Sequence, residues 1–257
     1  MSIKHNLKVL FRSRSWDFMQ RCRLTRSDGN PVTYQWRGKT IHYRPGTNDC
    51  RLIYEILLSS QKEYDVPEGI RPQNIIDIGA NIGIASIFFV HRFPCSRIFA
   101  FEPAEGNFSI LERNTAPYDN IRVFPTALGS RDEEKDLFFS DNPKNYGGFS
   151  FFPEGSNTVS KRRIRVRKTA EYFREIGITQ VDLLKIDTEG SEFDILTSLN
   201  PAMLKKVTWV VGELHGVRDF EVLAYLDQWF DLSLKRSFRK RLFMFRGLNK
   251  NSGCEIT

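Results

Sequence analysis

No apolar stretch in this 257-residue sequence approaches the ~18 residues that a bilayer-spanning helix needs. The longest candidate, Ile82–Val90, runs straight into His91 and Arg92, so no transmembrane segment is expected. The basic N-terminus (MSIKHNLKVLFRSRSW) has neither an apolar core nor a small-residue cleavage site, so no secretory leader is read there. Four cysteines, Cys22, Cys50, Cys95 and Cys254, are scattered and form no CxxC pair. That spacing excludes a zinc ribbon or a disulfide framework and predicts reduced thiols in a cytoplasmic protein. Internal repeats and low-complexity tracts are absent too, which excludes a solenoid or a disordered chain.

What is present is globular. Hydrophobic residues make up 40% and charged residues 27%, enough to bury one sizeable core with a modest extension. Lys and Arg (38) exceed Asp and Glu (31) by +7, a surplus that favours anionic partners. Two basic runs, Lys161–Lys168 (KRRIRVRK) and Lys235–Arg241 (KRSFRKR), read first as solvated faces of edge strands. A phosphate track for RNA is the rival reading, with no RNA-binding module beside it to support it.

Residues 1–70 read as an N-terminal extension. Val32–Trp36 and Thr40–Tyr43 predict a hairpin, and Asn48 or Asp49 caps a helix running to about Gln61. The Pro- and Gly-bearing stretch Tyr64–Gln73 leads into a main domain over 71–250, followed by a short tail, 251–257. There the pattern alternates. Strands are expected at 74–79, 97–102, 121–128, 181–187 and 207–213, with helices at 82–92, 104–115, 169–176, 191–199 and 220–230. An insertion at 131–168 breaks the rhythm, and Asp231–Arg246 reads as a closing antiparallel hairpin. Near-continuous apolar strands alternating with helices imply an α/β fold with a Rossmann-like, mostly parallel twisted sheet.

The segment Asp77-Ile78-Gly79-Ala80-Asn81-Ile82-Gly83 is the strongest local signal. A buried strand ends in a carboxylate, and two glycines four apart let the backbone turn into a helix and approach a ligand. Free N–H groups at that helix start suit an anionic group. Asn81 occupies the place of the second glycine of GxGxxG, which argues against a dinucleotide loop. Asp77 suits a ligand bearing ammonium and sulfonium. Glu102, 25 residues on and at the tip of the second strand, is placed for the two hydroxyls of a ribose. Small Ala127 at the third strand leaves room for adenine. NAD shares the adenosine half and is the alternative ligand.

Ligands of open α/β sheets bind beyond the carboxyl ends of the strands. Lys185-Ile186-Asp187-Thr188-Glu189-Gly190-Ser191-Glu192 puts Asp187 and Glu189 there, and Glu213-Leu214-His215 ends the next strand. His215 is the natural proton acceptor near neutral pH, with Asp187 and Glu213 beside it as further catalytic candidates. A first-turn carboxylate such as Glu192 is equally explained by the helix dipole. An oxygen-rich metal site at this cluster is weighed and not adopted.

Taken in order, RPGTND (Arg44–Asp49), DIGANIG (Asp77–Gly83), FEP (Phe101–Pro103), KIDTEGSE (Lys185–Glu192) and ELH (Glu213–His215) resemble the FkbM family of methyltransferases. The resemblance implies a class I methyltransferase fold, S-adenosylmethionine as methyl donor and O-methylation of a sugar, glycan or natural-product hydroxyl. It carries Asp77, Gly79, Asn81 and Glu102 to the cofactor and Asp187 and Glu189 to the inner site. Ala80 and Gly83 complete the expected cofactor loop, to which Asp187 also contributes. Arg44, Tyr146, Phe149 and Glu189 are expected to line the acceptor, a small molecule or glycan, and oligomerisation is left open.

Overall fold

A computed structural model describes residues 3–25, 27–60, 64–140, 149–150, 158–236 and 243–253. The chain opens with two helices, α1 (Ile3–Ser13) and α2 (Trp16–Cys22), which the hydropathy pattern does not announce. The hairpin β1 (Val32–Trp36) and β2 (Lys39–Tyr43) follows as expected. Thr47, not Asn48, caps α3 (Asn48–Leu52) by accepting from the Asp49 amide, and the helix continues as a π-helical stretch, Ile53–Leu58.

Five parallel strands then build the sheet: β3 (Asn74–Ile78), β4 (Arg97–Phe101), β5 (Ile121–Phe124), with β10 (Leu183–Ile186) and β11 (Trp209–Leu214) arriving later in the chain. Between them run α4 (Ile84–Arg92) and α5 (Glu105–Thr115). The third strand is shorter than the apolar pattern suggested. Pro125 has no N–H to extend a ladder, and the chain leaves the main sheet there. Ala127–Gly129 becomes β6 of a separate four-stranded sheet, in the order β6-β9-β7-β8. That sheet is the expected insertion: β7 (Glu133–Ser140), β8 (Phe149–Ser150) and β9 (Thr158–Lys168). The basic strand β9 pairs with β7 along most of its length and with β6 only over Val166–Lys168, so among the described residues Lys161–Arg165 keep one open edge, as the sequence reading expects, and only the end of the run lies inside the sheet. Its cations are met by cross-strand carboxylates, Lys161 with Asp136 at 2.6 Å and Arg163 with Glu134 at 2.8 Å.

The remaining helices are α6 (Thr169–Glu175), α7 (Glu192–Ser198), a short α8 (Pro201–Leu204) and α9 (Asp219–Leu226). β12 (Phe230–Arg236) and β13 (Phe243–Asn249) close the sheet as the expected antiparallel pair, and the turn expected near Phe238 lies outside the described residues. The order is β12-β13-β11-β10-β3-β4-β5. Strand succession reverses between β3 and β10, so a crevice opens at their carboxyl ends. Two apolar layers flank the sheet. One joins Val9, Phe18, Ile41 and Tyr43 of the N-terminal extension to Ile87 and Phe89 of α4, so the extension shares a core with the main domain. Among the described residues, no helix is long and apolar enough to cross a membrane.

Candidate active site

The Asp77–Gly83 loop leaves β3 through backbone that only glycine takes without strain. Gly79 has φ +76°, and a Cβ there would lie 1.7 Å from the Asp187 carbonyl oxygen. Strand β10 therefore passes directly against the loop, and the Asp187 amide donates to the Ile78 carbonyl. Gly79 and Ala80 both donate to the Phe101 carbonyl, which fixes the loop to the tip of β4. Asn81 sits at φ 50°, a left-handed conformation that Asn tolerates better than most residues. Its Oδ1 is buried and has no hydrogen-bond partner among the described residues. Gly83 then caps α4 at φ 87°, with no side-chain bond closing the helix start.

Glu102 ties the loop to β4. One carboxylate oxygen accepts from the Asn81 amide at 2.8 Å and the other from the Ala104 amide at 2.9 Å. Burial pushes its carboxyl up to about 7, against the pull of those two N–H donors and of Lys185.

Asp77 is fully buried. It accepts from Ser86 Oγ at 2.6 Å and pairs with Lys185 Nζ at 3.0 Å, so the direct contact with a cationic ligand read from the sequence is corrected to an indirect role. Lys185 is the residue that sequence reasoning passed over. It stands opposite Asp77 in the β3–β10 register, 2% exposed, and its ammonium also donates to the Gly79 carbonyl at 2.7 Å. Burial opposes its charge, but Asp77 and Asp187 outweigh that and raise its pKa. A lysine inside an apolar strand carries no local signal of this; its partner comes from a strand more than a hundred residues earlier. Tyr64 was missed for the same reason, and its hydroxyl donates to Asp187 Oδ2 at 3.0 Å.

At the ends of β10 and β11 four carboxylates surround one histidine. His215 Nδ1 meets Glu192 Oε1 at 2.9 Å, while Nε2 faces Asp187 at 3.3 Å, Glu189 at 3.5 Å and Glu213 at 3.8 Å. Glu192 is buried and also accepts from the Thr188 amide and hydroxyl, so it does more than complement the helix dipole. Ser191 occupies the cap position of α7 and makes no side-chain cap bond. Burial opposes charge on the ring, yet the bonds to Asp187 and Glu192, with the fields of Asp187 and Glu189, raise His215 to about 12. Asp187 is desolvated as well, but His215 and Lys185 hold it far below the usual carboxylate range. An imidazolium has no lone pair to offer. The surrounding carboxylates favour the protonated ring, which weighs against the proton-acceptor role read from the sequence for His215. Asp187, Glu213 and His215 also bring ligand atoms within 4.8 Å of one another, close enough to hold a metal ion.

The acceptor candidates separate. Glu189, at φ 54°, has a side chain 45% exposed and is the most open carboxylate around His215. Arg44 is 3% exposed, bonded through Nε and Nη2 to Asp49 and through Nη2 to Asn107 of α5. It braces the extension against α5, which corrects its assignment to the acceptor. Ala127 is buried in β6. Phe149 lies in β8, whereas Tyr146 lies outside the described residues.

This sheet order, with a glycine turn and carboxylate tips at the switch point, defines a Rossmann-like methyltransferase fold. The Methyltransferase FkbM domain matches residues 77–240, and the chain belongs to the FkbM methyltransferase family. Relatives include the 31-O-demethyl-FK506 methyltransferase FkbM of Streptomyces tacrolimicus, 25% identical over 58% of this chain and 68% of that protein. The 2-O-methyltransferase NoeI of Sinorhizobium fredii is 24% identical over 51% of this chain and 59% of its own length. The AMB antimetabolite synthetase AmbE of Pseudomonas aeruginosa is 27% identical over 64% of this chain, which spans only 9% of that protein.

Proposed function

We propose that this protein is an S-adenosylmethionine-dependent O-methyltransferase acting on a hydroxyl of a sugar, glycan or other natural product. One observation carries the reading: the glycine turn at Gly79 and the carboxylate cluster around His215 meet at the same strand ends, in contact through Asp187. Two features fit the donor. The orphaned Asn81 Oδ1 and the open start of α4 offer bonds to an amino-acid moiety, and Glu102 accepts from ribose hydroxyls. Ala80 and Ala127 are the small residues proposed beside adenine. S-adenosylmethionine supplies a methyl group already activated on a sulfonium.

The protein then has to orient a hydroxyl and remove its proton. With the donor bound, the Glu189 carboxylate would take the proton of the acceptor hydroxyl and pass it to solvent. His215, bonded to Glu192 and facing Asp187 and Glu213, fixes Glu189, and in its protonated form offsets the repulsion among the four acids. The acidic cluster also suits a cationic donor. Matches to two relatives whose names state O-methylation support oxygen as the acceptor atom.

The test is transfer of a labelled methyl group to a panel of hydroxyl-bearing sugars and natural products. Glu189→Gln is expected to lower kcat by roughly 10²-fold, with S-adenosylhomocysteine affinity unchanged. Full turnover in that variant, or transfer confined to nitrogen acceptors, would overturn the reading. The mechanism invokes no metal, so a chelator is expected to leave turnover intact. Activity lost to chelation and restored by Mg²⁺ would instead make Asp187, Glu213 and His215 cation ligands.

A further inference from the structure

The positive charge of this protein is unevenly placed. Residues 1–27 hold seven basic side chains and one acidic one, Asp17, a net of 7 − 1 = +6 against +7 for the whole chain. In β9, carboxylates of β7 face the basic side chains Lys161 and Arg163. In α1 and α2 the pattern differs. Among the described residues, the ion pair in this segment is Arg21 with Asp17, while Lys8, Arg12, Arg14 and Arg23 stand exposed without a carboxylate partner.

The same helices expose apolar side chains. Successive residues of a helix turn by about 100°, so residues four apart share a face. Val9 and Ser13 form the inward face of α1, both nearly fully buried. Leu7 and Phe11 form a face turned to solvent, 61% and 81% exposed, and Trp16 at the start of α2 is 63% exposed. Among the described residues, nothing covers them.

We infer that the outer face of α1 and α2 docks the protein on an anionic membrane surface. A bilayer interface takes both components of this face. Leu, Phe and Trp enter the boundary between headgroups and acyl chains, while flanking Lys and Arg meet lipid phosphates. A nucleic-acid track would use the cations and a stacking aromatic but would leave Leu7 in water. With two short helices and, among the described residues, no helix able to cross a membrane, the attachment is peripheral and reversible. The inference is independent of the proposed reaction.

Sedimentation of the full chain with phosphatidylcholine vesicles, with and without phosphatidylglycerol, tests it. Binding is expected only with phosphatidylglycerol and is expected to weaken as salt is raised. Phe11→Glu and Leu7→Glu, both at exposed sites, are each expected to lower partitioning at least about tenfold while the thermal melt stays unchanged. Absence of binding to phosphatidylglycerol vesicles would overturn the inference, as would binding that both variants retain. Retention of single-stranded RNA, or a Phe11-dependent dimer, without vesicle binding would also overturn it and give this face to a different partner.

Discussion

Glu102 is a carboxyl whose protonation state the fold has shifted into the working range. An ordinary glutamate ionises near 4.5; burial brings this one to about 7. Because the folded-state value is raised, the charged form is disfavoured in the folded chain, and stability falls as pH rises from about 4.5 through about 7. The whole shift amounts to about 3 kcal/mol. A ligand whose hydroxyls bond the carboxylate regains part of this. The affinity for S-adenosylhomocysteine is therefore expected to weaken by up to about tenfold for each pH unit below about 7 and to level off above it. Calorimetric titrations across that range check this, and an affinity flat from acid to neutral would remove Glu102 from the ribose site. His215 has the same sign in a higher pH window. Its raised pKa gives stability present at neutral pH and lost only as pH climbs toward about 12, so its ring is not expected to titrate near 6.5.

At the scale of elements, the turn from β3 to α4 is the part of the fold least tolerant of change. A methyl group at Gly79 meets the backbone of Asp187, which cannot swing aside as a side chain can. Gly177 shares the positive φ but has open space around it, so the pair separates backbone strain from collision. Gly177→Ala is expected to cost about 1–2 kcal/mol. Gly79→Ala is expected to cost clearly more and to abolish S-adenosylhomocysteine binding; thermal melts and titrations of the two variants decide, and equal costs would contradict the packing described. This turn was legible in the sequence because its signal is local: an apolar strand, a carboxylate, two glycines. The hairpin β1–β2 and the closing pair β12–β13 were legible for the same reason. The departure of β6 into a second sheet was not, since Ile121–Leu128 reads as one mostly apolar run and only Pro125 marks the break. Nor were α1 and α2, whose apolar residues are divided between core and solvent. The charge state of His215 escaped as well, because its ring pKa depends on carboxylates from Asp187 to Glu213 that only folding assembles.

Across the whole molecule, two long-range pairings converge on one crevice. Register between β3 and β10 sets Lys185 against Asp77, and the reversal of strand order opens the crevice beside them. The hydroxyl of Tyr64 reaches Asp187, bringing the stretch between extension and sheet to the same place. The N-terminal extension thus belongs to the site's scaffold, and its outer face remains available for docking. Everything chemical in this account rests on the crevice taking S-adenosylmethionine, in preference to a dinucleotide. Thermal unfolding with S-adenosylhomocysteine or with NAD, each at about a hundred times a ligand's dissociation constant, tests that most directly. Saturation of that order adds about 2.7 kcal/mol, or roughly 5–10 °C for a chain of this size. The account predicts that shift with S-adenosylhomocysteine and none with NAD; a shift with NAD alone would contradict it.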